Sequence, residues 1–100
     1  MTVRGGSPLW VIIGTNPQRI LQANSRRSSF TLIAPTTNAA IVYFAYDKPN
    51  VSAVAPNIGI PLVAGSQAKE MQPEVFEGEV WAIAVNATDQ LIVVETMRSE

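Results

Sequence analysis

The apolar residues of this chain come in short runs rich in β-branched and aromatic side chains, and Gly, Pro, Asn and Ser interrupt them every few residues. No window sustains the i, i+3, i+4, i+7 spacing of an amphipathic helix, so the pattern predicts an all-β fold. Eight strands are expected, over residues 9–13, 19–23, 28–34, 39–46, 58–63, 67–71, 79–85 and 90–96. The turn formers Pro35, Thr36, Thr37 and Asn38 are expected to close a hairpin between the third and fourth of these. Residues 86–89, Asn-Ala-Thr-Asp, are expected to do the same for the last two. Pro49 and Pro56 deny residues 47–57 an uninterrupted set of ladder donors, which makes that stretch a long connection. Long connections between hairpins belong to Greek keys, and the reading is a jelly-roll-like antiparallel β-sandwich.

One hundred residues supply one core and no second domain. The division read from the sequence is a flexible Arg- and Gly-containing arm at 1–8, a single sandwich at 9–96 and a polar tail at 97–100. The core is expected to draw on Phe30, Leu32, Ile41, Tyr43, Trp81, Ile83, Leu91 and Val93. Strand alternation is poor, however. Residues 40–46, 80–85 and 91–94 are apolar on both faces, which a one-residue slip in register would exchange. Two-sided apolar strands leave a patch that soluble monomers seldom expose, so self-association or docking on a larger partner is expected.

Charged residues make up only 15% of the chain against 47% hydrophobic, which excludes the disordered class. Cysteine and histidine are absent, and with them thiolate and imidazole ligands, a His general base and every disulfide. Residues 9–13 are too short for a signal core or a spanning helix, so the chain is expected to fold in the cytoplasm, away from any membrane. A net charge of −1 argues against nucleic acid. The halves differ: residues 1–50 carry five cations against Asp47, net +4, and residues 51–100 carry two against seven acids, net −5. Such asymmetry offers attraction between copies or to a charged partner.

No catalytic set assembles. Glu74, Glu77 and Glu79 read as a solvated acidic loop, no G-x-S-x-G elbow or calcium loop is present, and no cofactor or metal is expected. Arg26 and Arg27, followed by Ser28, Ser29 and Phe30, read as turn-bracing or carboxylate-meeting cations. Trp10 and Trp81 read as core packing, and a sugar platform would need one of them exposed on a flat face. The interface candidates are Arg4, Trp10, Arg26 and Arg27. Arg4 offers a bidentate carboxylate contact and Trp10 a large apolar area where the arm meets the first strand.

The segment Asn24-Ser25-Arg26-Arg27-Ser28-Ser29-Phe30-Thr31-Leu32, with Asn38 leading into Ile41-Val42-Tyr43-Phe44, resembles the opening hairpin of small virion proteins of tailed bacteriophages. Gly59-Ile60-Pro61-Leu62 with Gly65, Gly78-Glu79-Val80-Trp81-Ala82-Ile83-Ala84 and Leu91-Ile92-Val93-Val94-Glu95 are similar to that family's remaining strands. The resemblance spans residues 19–96 as a strand rhythm. It implies a β-sandwich building block of a phage particle, of the capsid cement or decoration type, with tail, collar and fibre roles on similar modules. The implied partners are the major capsid protein and a second or third copy of the chain, on the capsid surface of the virion. The doubled Arg26-Arg27 and the acidic segment 72–79 depart from the family's plainer turns.

Overall fold

The computed structural model describes residues 2–4, 9–46, 59–71 and 75–99. The strands are β1 (Thr2–Arg4), β2 (Leu9–Ile12), β3 (Gln18–Leu21), β4 (Arg27–Ile33), β5 (Val42–Ala45), β6 (Ile60–Leu62), β7 (Gln67–Met71), β8 (Val80–Ala84) and β9 (Gln90–Ser99). The eight expected strands are all present, in order. No helix among the described residues is long and apolar enough to cross a membrane.

Two antiparallel sheets form. Sheet A runs β1-β9-β4-β7 with β2 also on β9, and sheet B runs β3-β8-β5-β6. β1 pairs with residues 97–99 and β2 with residues 90–93, so the two lie end to end along one edge of β9 and fill one strand position. That leaves four positions in each sheet. The pairs β2·β9, β3·β8, β4·β7 and β5·β6 are nested, as in one long ribbon doubled back on itself. β9·β4 and β8·β5 then close the wound ribbon into two sheets. This is the jelly roll, all-β and antiparallel.

The winding corrects the two expected hairpins. β4 and β5 lie in different sheets, and so do β8 and β9. The turn chemistry is as read: Asn38 N donates to the Pro35 carbonyl at 3.1 Å and Asp89 N to the Asn86 carbonyl at 3.3 Å. Each turn is a corner that carries the chain from one sheet to the other. Gly14 serves the same purpose between β2 and β3. Its φ of 66° is a left-handed conformation that side chains resist, and its carbonyl accepts Ala84 N at 2.9 Å.

Between the sheets lie Phe30, Leu32, Leu91 and Val93 from sheet A and Val42, Phe44, Val80, Ala82 and Ala84 from sheet B. Half of the expected core is therefore in place. Tyr43 and Ile83 are also buried, with Ile41 and Trp81 half-buried beside them, but on the opposite face of sheet B in a separate cluster with Ala45. Because β5 is VYFA and β8 VWAIA, apolarity marks both faces. The small residues Ala82 and Ala84 decide the register: they let sheet B close on Phe30 and Leu32, and the larger Trp81 and Ile83 turn outward.

The terminal segments also differ from their reading. Thr2–Arg4 is a strand on β9 rather than part of an arm, and residues 97–99 continue β9 rather than forming a tail. Residues 5–8 and the long connection at 47–58 lie outside the described residues.

Each end of the sandwich is held by one buried ion. At one end Asp89, 2% exposed, accepts the backbone N–H groups of Ala39 at 2.8 Å and Ala40 at 2.9 Å. Its carbonyl accepts Ile13 N, and the neighbouring Gln90 exchanges two 2.8 Å bonds with the Asn38 amide. Three corners thus meet on one carboxylate-centred knot. At the other end Arg27, 0% exposed, donates from Nε to Glu95 at 2.8 Å and from its terminal nitrogens to the carbonyls of Gln22, Phe76 and Gly78. Its guanidinium also sits 5.5 Å from the Phe30 ring centroid.

Beside that clamp, Tyr46 stacks on Phe76 at 4.4 Å and donates its phenol to Glu70, whose other oxygen accepts Phe76 N. Burial, then the bond to Glu70, then the Glu70 charge, push the Tyr46 phenol up to about 12. The folded state therefore holds this proton more tightly than the unfolded chain, where tyrosine ionises near 10. The stabilisation is complete below about pH 10 and is lost as pH rises toward about 12. Alkaline denaturation followed by phenolate absorbance is expected to show one late-titrating tyrosine whose ionisation accompanies loss of stability. Tyr46→Phe should abolish that late ionisation and flatten the stability profile across the same window.

Candidate interaction surface

Sequence, register and exposure converge on β2. Its neighbour β9 takes up residues 9–12 in the register Leu9↔Val93, Trp10↔Ile92, Val11↔Leu91 and Ile12↔Gln90. Ile13 N donates to the Asp89 carbonyl directly opposite, which fixes the phase of the ladder. Leu9 and Val11 therefore exchange bonds with β9, and the N–H and C=O groups of Trp10 and Ile12 point to the other side. β2 pairs with no other strand among the described residues, so these groups line an open sheet edge.

The side chains follow the alternation of a strand. Val11 packs on the core, and Trp10 and Ile12 stand on the outer face of sheet A. Trp10 is 58% and Ile12 60% exposed, the highest level among the described large apolar residues, shared with Leu9 at 60%. The outer face continues inward as an apolar row, because Trp10 pairs with Ile92 and Ile92 with Ile33. A second row, Val94, Thr31 and Lys69, runs beside it and ends in charge. Leu9 points the other way, into a groove of ≈ 520 Å³ at the mouth between the sheets, lined also by Ile20, Leu21, Val93, Glu95 and Met97.

Of the four interface candidates, Trp10 is on this surface, and the expectation that it packs in the core is corrected: it is 58% exposed, and among the described residues its strand has a sheet neighbour on one side only. Arg4 lies in β1 opposite Met97, further along the same edge of β9. Arg26 is exposed on the corner between β3 and β4, where its N–H donates to Asn24 Oδ1 at 3.0 Å in a local Asx turn. Arg27 is not a surface residue, since its guanidinium is enclosed by the clamp described above. The structure does not bring the four together on one patch. It adds Leu9 and Ile12, which the unbroken apolar run 9–13 signals only as strand.

Glu79 pairs with Arg19 at 3.2 Å and accepts Trp81 Nε1 at 3.1 Å. Those two hydrogen bonds, the indole's first, hold its carboxyl below the usual range. Glu77 is exposed, Glu74 lies outside the described residues, and no group of three metal-ligating side chains occurs among the described residues. What the surface offers is an uncharged strand edge and an apolar row on the outer face beside it. No family model, curated protein or solved structure matches this chain.

Proposed function

We propose that this chain is a nonenzymatic structural protein of a phage virion that decorates the capsid shell and stabilises it as a cement protein. The observation that carries the reading is the outer face of sheet A, where Trp10 and Ile12 stand more than half exposed on an uncharged strand beside Ile92 and Ile33. A face of this kind is stable in water only at a cost that a partner removes, and a central exposed Trp is the residue type that anchors such contacts. The jelly roll supports the reading by analogy alone, since it recurs in viral capsid and lectin domains. The strand rhythm of residues 19–96, which resembles that of small phage virion proteins, supports it in the same way. Repetition over a shell converts a modest contact into avidity when copies are linked to one another.

An exposed Trp on the outer face of a sheet also favours a second reading, a tail, collar or fibre module that recognises host carbohydrate. Copy number separates the two. A cement protein is expected in hundreds of copies per purified particle and rebinds emptied heads; a tail module is scarce, and a sugar-recognising one retains glycans as an isolated domain. In a head-binding assay Trp10→Ala is expected to weaken attachment by about 2 kcal/mol, roughly thirtyfold, with an unchanged melting temperature. Wild-type affinity in that variant, or a wild-type protein that ignores heads, overturns the cement reading.

A further inference from the structure

The edge that β2 leaves open is self-complementary. Edge strands are ordinarily protected by charge, proline, a bulge or a covering segment. β2 is Leu-Trp-Val-Ile, with no charged or bulged residue and with all its ladder bonds to β9 in one register. Its two outward-facing residues, Trp10 and Ile12, flank Val11 symmetrically. If two copies meet about a two-fold axis at Val11, Trp10 of each lies opposite Ile12 of the other. The N–H and C=O groups that point away from β9 then form the bonded pairs of a new antiparallel ladder.

We propose that a second copy of this chain covers the β2 edge, joining the two copies of sheet A into one continuous eight-position sheet by antiparallel β2–β2 pairing centred on Val11. The proposal goes beyond the virion reading and holds without it, since it concerns what meets the strand edge rather than what meets the sheet face.

Side chains and backbone agree on this occupant. Each Trp10–Ile12 contact across the new ladder is an aromatic against a β-branched residue, a favoured cross-strand pair, and two of them form at once. A register slipped by one residue would set the inward-bonded Leu9 and Val11 against the partner and leave the outward groups unmatched. Trp10 and Ile12 are each more than half exposed, side by side on the outer face at the edge that the second copy covers. Pairing does not consume the outer face. It places four large apolar side chains at the centre of a face twice as wide, with Ile92 and Ile33 of each copy flanking them.

The chain has no cysteine, so Val11→Cys introduces a single thiol at the expected axis. Under mild oxidation of the isolated protein, V11C is expected to form a covalent dimer, and V85C, at a more exposed site just past the end of β8, is expected to stay uncrosslinked. Ile12→Pro removes an N–H that makes no bond to β9, so the variant is expected to keep its circular dichroism and sediment as a monomer where the wild type sediments as a dimer. A wild-type monomer at high micromolar concentration overturns the proposal. So does a dimer that V11C fails to crosslink and that I12P leaves intact. If I12P does not fold, the V11C crosslink decides alone. None of these outcomes involves heads, so failure here leaves the cement reading untouched, and failure to bind heads leaves the dimer untouched.

Discussion

Replacing Arg27 by alanine is expected to cost about 3–5 kcal/mol of folding stability, enough to bring a domain of this size close to unfolding at room temperature. The side chain is wholly buried, and its removal strips four groups of a partner at once: the Glu95 carboxylate and the carbonyls of Gln22, Phe76 and Gly78 on two different corners. Carbonyls left buried without donors lose what water gave them in the unfolded chain. Arg27→Lys is expected to recover less than half of the loss. An ammonium has no planar fork to serve Glu95 on one side and the corner carbonyls on the other. Arg26→Ala, one residue away and exposed, is the internal control and should shift stability by no more than about 0.5 kcal/mol. Urea unfolding midpoints of the three variants check all of this, and equal effects at positions 26 and 27 would remove the clamp from the account.

The contrast between those two arginines shows where sequence reading stops. The run of turn formers around Asn24 marks a corner, and the Asx turn onto Arg26 N is the local reason it forms there. Nothing local says which of two adjacent arginines points inward. That is set by Glu95, Phe76 and Gly78, which arrive from 49 to 68 residues away once the ribbon is wound. The strands themselves were legible because their punctuation is local. Their facing was legible only where polarity alternates: β4, where Ser29 and Thr31 alternate with Phe30 and Leu32, reads correctly. In β5 and β8 both faces are apolar, and the size of Ala82 and Ala84 rather than hydrophobicity selects the core. The candidate surface was half legible. Its apolar excess is visible in composition, but that Trp10 stands on it depends on β2 being an edge, a property of strand order.

Asp89→Ala is expected to be the next most damaging surface-remote change, at about 3 kcal/mol. Asp89 is the acceptor for two consecutive backbone N–H groups, Ala39 and Ala40, at the start of the passage into β5, and it is 2% exposed. Both donors are left without a partner in the variant, each at about 1–3 kcal/mol, partly relieved where water can enter the corner. Asp89→Asn sharpens the point, because it keeps the volume but not the chemistry. One of its two terminal atoms becomes an NH₂ facing a backbone N–H, so one bond is lost and two donors oppose each other. It should therefore destabilise by more than half of the alanine effect rather than rescue it. Asn38→Ala is expected to cost less, about 1–2 kcal/mol, since it releases only the Gln90 backbone on the outer side of the knot. Because Asn38 and Asp89 tie the same two corners, their losses should not add: the double variant is expected to fall short of the sum by 0.5 kcal/mol or more, of the order seen for neighbours in one network. Denaturant unfolding of the two singles and the double measures this directly, and strict additivity would mean that the two corners are held independently rather than by one knot.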